Sequence, residues 1–303
     1  MSKLELTSLN CTNCGASLTD YEGKNEIQCE YCNTQIKVLR PRIVAVTKAN
    51  LSEDNFDKLN NYIEILQKAI RAGNFNEGYD YCNKALEVNP NIGAIWENKA
   101  ICAFWRSVSL INEDKISATN AREIKTFLKA SLENDPESDT YAETADAIGS
   151  NLYIITKFKL NIQVADELKK VGKTELRVFS NRKLSAIKDY IETLEAAYDI
   201  MVNPDVQILK DIVVELSDFG IVEWWAPKNP LGGATFDNAK KSDNAIRSGF
   251  DVERKRNLII DRIKKVDENY EDPRLKLKVV PTALKFITIA IIIFFIIISL
   301  SKQ

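Results

Sequence analysis

The chain has 303 residues, of which 45% are hydrophobic and 28% are charged, a balance typical of a globular protein with one or two domains. Its formal net charge of −2 argues against a general nucleic-acid binder, and its lack of histidine excludes catalysis by a serine–histidine or cysteine–histidine pair. No other catalytic arrangement is recognisable, so we predict that the chain is not an enzyme.

The first ten residues mix charged, polar and apolar side chains and contain no continuous apolar stretch. They do not have the pattern of a secretory signal, and we expect the N-terminal part of the chain to stay in the cytoplasm. In that reducing compartment, paired cysteines are more often metal ligands than disulfides.

Two C-x-x-C pairs follow, Cys11 with Cys14 and Cys29 with Cys32, and fourteen residues separate them. Each pair can place two thiolates at two corners of a tetrahedron, so the four cysteines together predict one Zn²⁺ site. Four thiolates leave no open coordination position for a substrate, and the predicted role of the ion is therefore structural.

The residues around the cysteines are typical of tight turns and short strands. Gly15 and Asn33 directly follow the two pairs and tolerate the left-handed backbone that turns N–H groups toward sulfur. Strands are predicted at 17–19, 26–28 and 35–39. This part of the chain resembles the zinc-ribbon family with rubredoxin-like knuckles, although Thr12 and Glu30 stand where that family usually has prolines.

The resemblance leaves the role of the ribbon open, because zinc ribbons bind proteins, bind nucleic acids or serve as scaffolds. The charges of this ribbon are mixed, with two lysines among four acidic residues: Lys24, Lys37, Asp20, Glu22, Glu26 and Glu30. Such a surface is poorly suited to phosphate groups. We therefore favour protein contact or scaffolding, and nucleic-acid binding remains the alternative.

From residue 53 onward, apolar residues recur at spacings of three and four, the pattern of consecutive amphipathic helices. The predicted helices lie at 53–72, 75–89, 92–109, 115–134, 138–171, 175–202 and 205–224. Cys82 and Cys102 fall at packing positions of this pattern, and we predict that they are inert core residues.

One stretch of this helical region, from residue 71 to residue 90, is more specific. A glycine turn, small residues and a terminal proline occur at Gly73, Phe75, Gly78, Ala85 and Pro90, and Trp96 and Ala100 fit the start of a next helix. The stretch resembles a tetratricopeptide repeat, but Gly78 replaces the usual alanine and the next comparable turn comes 46 residues after Pro90 rather than about 34. The resemblance implies an array that offers a concave surface to a partner peptide or helix. The alternative is a helical bundle whose helices only pack against one another and bind no partner.

After Trp224 and Trp225 the chain contains two prolines and two glycines within ten residues, which indicates a loop. A further amphipathic helix is predicted from residue 251 to 272. Its mixed charges favour packing on the helical domain, and pairing with a second copy or lying on lipid headgroups are the alternatives.

The C-terminal part contains fifteen consecutive uncharged residues, 286–300. Ala283, Leu284 and the stem of Lys285 bring the length of the stretch close to the thickness of a bilayer, and local bilayer thinning accounts for the rest. A buried core helix is the alternative. Four basic residues precede the stretch and one follows it: Arg274, Lys276, Lys278 and Lys285, then Lys302. This asymmetry predicts a single span with the bulk of the chain in the cytoplasm.

The predicted fold is mainly α, with a small N-terminal β zinc ribbon, a repeat-like helical domain and one C-terminal transmembrane helix. The segments are 8–40 for the ribbon, 53–226 for the helical domain, 227–250 for a linker, 251–272 for the amphipathic helix and 283–300 for the span. These features predict a membrane-anchored, cytoplasm-facing, zinc-binding adaptor or scaffold for protein partners. The alternative is a membrane-associated nucleic-acid-binding or regulatory protein that acts through the ribbon. The sequence leaves the partner and the oligomeric state open.

Overall fold

The computed structural model describes residues 9–19, 23–46, 51–109, 118–157, 181–218 and 252–272. This part of the chain is mainly helical and begins with two short β-hairpins, as the sequence predicts. The predicted linker and the predicted span at 283–300 lie outside the described residues. Among the helices within those residues, none has the length and apolar character needed to cross a bilayer.

Four short strands form the N-terminal unit: β1 (Leu9–Asn10), β2 (Ser17–Leu18), β3 (Glu26–Gln28) and β4 (Gln35–Lys37). They pair as two antiparallel hairpins, β1 with β2 and β3 with β4. Leu9 faces Leu18 in the first hairpin, and Ile27 faces Ile36 in the second. All four of these side chains are buried, so each hairpin turns its apolar pair toward a shared core.

The described residues contain eight helices: α1 (Glu53–Arg71), α2 (Phe75–Val88), α3 (Gly93–Ser109), α4 (Ala118–Asn134), α5 (Tyr141–Ile155), α6 (Asn181–Ile200), α7 (Val206–Asp218) and α8 (Val252–Lys264). Helix α1 begins after Ser52, whose side chain accepts a hydrogen bond from Asn55 N. It ends at a turn in which Gly73 adopts a φ of 73°, a conformation that glycine reaches without strain.

Helices α1 to α4 pack in chain order, each against the next. The close packing of α2 depends on Gly78, because a Cβ atom there would lie 3.0 Å from both Cys102 Sγ and Ile70 Cγ1. The turn between α2 and α3 is held by Trp96, whose Nε1 donates to Pro90 O at 2.7 Å. Helix α4 then packs against both α5 and α6.

Helix α8 packs against α6 and α7, so residues 252–272 belong to the same packed unit as the preceding helices. Arg262 fixes this arrangement, because its Nη2 donates to Met201 O at 2.7 Å and to Val202 O at 2.6 Å, just beyond the end of α6. The helix is shorter than the predicted range 251–272. It ends where Val266 N and Asp267 N both turn back to the carbonyl of Ile263.

Candidate metal centre and the segment that docks it

The two C-x-x-C pairs adopt the same backbone turn. Gly15 N donates to Cys11 O at 2.9 Å, and Asn33 N donates to Cys29 O at 2.8 Å. The turn requires a left-handed residue directly after each pair, and the φ angles are 76° at Gly15 and 57° at Asn33. These two residues therefore present the cysteines of each pair on one side of a tight loop.

The two loops face each other and bring the four cysteines together. The Sγ atoms of Cys11 and Cys32 are 3.6 Å apart, as are those of Cys14 and Cys29, and all four sulfurs lie within 4.8 Å of one another. In a tetrahedral site with zinc–sulfur bonds of about 2.3 Å, the sulfurs are separated by about 3.8 Å. The cluster therefore has dimensions compatible with one tetrahedral metal ion.

The environment of Cys11 also suits a metal. Burial raises the pKa of its thiol to about 12, although the backbone N–H groups of Cys14 and Asn13 act in the opposite direction. Those N–H groups lie 3.5 and 3.4 Å from Cys11 Sγ. A buried sulfur with two N–H donors is stabilised as a thiolate once a cation balances its charge.

Cys32 is favoured as a thiolate by its neighbours. Burial raises the pKa of this thiol, but hydrogen bonds with the hydroxyl and backbone of Thr34 and with the Cys14 and Cys11 thiols together outweigh it and lower the pKa to about 6. Thr34 Oγ1 lies 3.1 Å from Cys32 Sγ and accepts a hydrogen bond from Asn13 Nδ2 at 2.8 Å. The neutral Cys32 thiol donates to this hydroxyl oxygen, and once the sulfur is ionised the Thr34 hydroxyl can donate to it instead.

The ribbon is joined to the helical domain through residues 37–44, which we call the docking segment. Asn151 of α5 binds both backbone groups of Lys37, with Lys37 N donating to Oδ1 at 3.1 Å and Nδ2 donating to Lys37 O at 2.8 Å. Asn98 of α3 does the same for Arg42, at 2.9 and 3.0 Å. Gln67 of α1 donates to Val44 O at 3.2 Å. The docking segment thus meets α5, α3 and α1 in that order.

The side chain of Arg42 enters a polar pocket of the helical domain. Its Nη1 donates to Asp135 Oδ2 at 2.9 Å, to Ser138 Oγ at 3.0 Å and to Glu97 Oε2 at 3.3 Å. Arg42 is 2% exposed and Glu97 is fully buried. A buried arginine of this kind is retained only where carboxylates and hydroxyls satisfy its charge.

Glu97 is held in place by two threonine hydroxyls from the start of α5. Thr144 Oγ1 donates to its Oε1 at 2.6 Å, and Thr140 Oγ1 donates to its Oε2 at 3.2 Å. Burial raises the pKa of Glu97, while the Thr144 hydrogen bond and the charge of Arg42 lower it, and the net direction is upward. The carboxyl group is therefore fixed in position but costly to keep charged.

The structure brings together Cys11, Cys14, Cys29 and Cys32, the four residues that the sequence predicts as ligands. It places Cys82 and Cys102 in the helical core instead, where both are fully buried. The residues that dock the ribbon were not predicted, namely Arg42, Gln67, Glu97, Asn98 and Asn151. Their partners lie between 23 and 114 residues away in the chain, so no local spacing reveals them.

The fold and this site define a zinc-ribbon-like cysteine cluster that is docked on a helical domain. No family model matches the chain, and no curated protein or solved structure gives a significant match.

Proposed function

We propose that the chain is a membrane-anchored, cytoplasm-facing scaffold that binds other proteins through its helical domain and holds one structural Zn²⁺ in its ribbon. The observation that carries the proposal is the docking segment: the helical domain binds an extended stretch of polypeptide through side chains directed at its backbone. Surfaces that bind proteins in this way use main-chain hydrogen bonds for affinity and pockets for specificity.

Zinc is the ion that best suits the cluster. Four sulfur ligands from two knuckles, at separations close to those of a tetrahedron, are typical of structural zinc. With four protein ligands the ion has no position for a substrate, so its contribution is to hold the two hairpins together. The ribbon then presents the docking segment to the helices in a fixed position.

The tetratricopeptide resemblance and the apolar stretch at 283–300 support the remaining parts of the proposal. A repeat-like array implies a surface for a partner peptide or helix. A single span near the C-terminus, preceded by basic residues, would hold that surface at the cytoplasmic face of a membrane.

The test is affinity capture with the tagged full chain in membranes, after chemical crosslinking and with nuclease treatment of half of each sample. It is run with the intact chain and with all four ribbon cysteines changed to serine. We expect protein partners that resist nuclease and that persist when the ribbon is lost. Recovery of nucleic acid alone, abolished by the cysteine changes, would instead support the nucleic-acid alternative.

A further inference from the structure

Three helices of the helical domain each direct a side-chain amide at the docking segment. Asn151 and Asn98 each pair with the N–H and the C=O of one residue, and Gln67 binds one further carbonyl. A side-chain amide that bonds to both the N–H and the C=O of one residue makes the two hydrogen bonds that a neighbouring β-strand would otherwise make. Since such contacts involve only the backbone, they fit an extended segment of almost any sequence.

Selectivity comes from the pocket that receives Arg42. Two carboxylates and a serine hydroxyl surround one guanidinium nitrogen, and Glu97 is fixed by two threonine hydroxyls from the start of α5. Glu97 is fully buried, so a ligand that left the pocket empty would leave a carboxylate without its cation. The pocket therefore favours a segment that carries an arginine at this position.

We propose that the face formed by α1, α3 and α5 is a binding site for extended polypeptide segments that carry an arginine, and that the docking segment is its built-in intramolecular ligand. The proposal rests on the proposed function, because it specifies the ligand class and the regulation of the protein-binding surface. A partner segment binds there by replacing residues 37–44.

The docking segment competes with any partner segment for this site, and its covalent attachment to the site makes it a strong competitor. The docking segment belongs to the same chain as its site, and only residues 45–52 separate it from α1. A short covalent link gives a ligand an effective concentration of about millimolar or above. The intact chain is therefore expected to take up a free peptide poorly, and any change that weakens the docking segment opens the site.

The first experiment turns the built-in ligand into a free one. A recognition sequence for a site-specific protease is inserted between Val46 and Leu51 of the full chain, which is purified in mild detergent with zinc present. After cleavage, uptake of a fluorescent peptide with the sequence of residues 36–46 is followed by anisotropy. Loss of the 1–46 fragment is followed in parallel by size-exclusion chromatography.

Matched peptides test the selectivity. We expect the cleaved chain to bind the peptide and to release its own fragment, and we expect the Arg42→Ala peptide to bind about 10–100-fold more weakly. The control is the Arg40→Ala peptide, because Arg40 bonds to Lys24 O and Asn25 Oδ1 within the ribbon. That peptide should bind within about threefold of the unchanged one.

A second variant avoids cleavage. In the full chain, Arg42→Ala should keep the backbone hydrogen bonds of Asn98 and Asn151 but weaken the binding of the docking segment to its site. This variant should therefore take up the unchanged peptide at least about tenfold better than the intact chain does. The full-chain Lys129→Ala variant is the control, because Lys129 lies exposed on α4 outside the docking segment, and it should not gain uptake. Circular dichroism confirms that each variant keeps its helix content.

Several outcomes would overturn the proposal. A cleaved chain that keeps its fragment and refuses the peptide, or that unfolds when the fragment leaves, would show that residues 37–44 are a permanent part of the core. Equal binding of all peptides would remove the arginine selectivity. The proposed function fails separately, because a chain can exchange peptides and yet capture no partner in membranes, or capture partners without exchanging peptides.

Discussion

At the scale of single residues, Asn98 is one of the two buried asparagines that bind the backbone of the docking segment. Its amide satisfies both backbone groups of Arg42 in a region closed to water. Replacement by alanine leaves a buried N–H and a buried C=O without these partners, and each lost partner costs about 1–3 kcal/mol. We expect Asn98→Ala to lower the free energy of unfolding by about 2–6 kcal/mol in urea denaturation.

The matched control is Asn61→Ala. Asn61 lies on the exposed face of α1, where substitution changes stability by no more than about 0.5 kcal/mol. Equal effects of the two changes would mean that the Asn98 amide contributes nothing beyond ordinary helix packing.

The raised pKa of Glu97 predicts a pH dependence. Because this pKa is higher in the folded chain than in the unfolded chain, the folded chain takes up the proton first as pH falls. The resulting stabilisation is complete below the unfolded pKa of about 4.3 and is lost as pH rises through the folded value. We therefore expect the stability of the natural chain, relative to Glu97→Gln, to be greater at pH 5 than at pH 8.

The measurement is urea denaturation of both proteins at several pH values. Acid-induced changes at the cysteine cluster affect both proteins alike and cancel in the difference between them. The opposite slope, with Glu97→Gln gaining on the natural chain as pH falls, would show that the Arg42 charge outweighs burial and lowers the pKa of Glu97.

At the scale of elements, the ribbon hairpins depend on the cysteine cluster. We expect the purified chain to contain about one zinc per molecule and to give the intense sulfur-to-cobalt absorption of a four-thiolate site after exchange with Co²⁺. Cys29→Ser should lose both signals. Cys82→Ala is the control, because Cys82 lies in the helical core away from the cluster, and it should keep them. Full zinc content in Cys29→Ser would contradict the four-cysteine site.

The crossing of α5 and α6 depends on Gly149. A Cβ atom there would lie 2.4 Å from Met201 Cγ and 2.7 Å from Ala197 O. A glycine-to-alanine change inside a helix normally raises the free energy of unfolding by about 1 kcal/mol. Here we expect the opposite effect, because the added Cβ would collide with the backbone carbonyl of Ala197. We expect Gly149→Ala to lower the free energy of unfolding by about 1–3 kcal/mol in urea.

Gly78 provides the comparison for this change. Its added Cβ would meet side-chain atoms of Cys102 and Ile70 at 3.0 Å, and side chains adjust more easily than a carbonyl. Gly78→Ala should therefore cost less than Gly149→Ala. The reverse order would mean that α6 moves freely away from α5.

Local sequence patterns are enough to predict the first helix and the cysteine cluster. The predicted helix at 53–72 is observed as Glu53–Arg71, and the cysteine spacing predicts the cluster, because caps, periodicity and knuckles are encoded within a few residues. Packing between distant segments is encoded differently. The hydrogen bonds between Asn151 and Lys37 join residues 114 positions apart, so no local pattern predicts them.

At the scale of the whole molecule, the stretch at 283–300 remains a sequence-based prediction. We expect the full chain to sediment with membranes, to resist alkaline carbonate and to be released by detergent. Removal of residues 283–303 should move the chain to the supernatant, whereas removal of 301–303 alone should not. Sedimentation that is unaffected by the larger deletion would rule out this anchor.

The docking segment is synthesised before Asn98 and Asn151, the two asparagines that bind its backbone. Asn98 follows its partner by 56 residues and Asn151 follows its partner by 114 residues. At translation rates of about 5–20 residues per second, Lys37 waits about 6–23 s for Asn151 to be made. Throughout that time the outer edge of β4 is uncovered on the ribosome. A nascent chain halted before residue 151 would therefore be a stronger target for chaperones than one halted after it.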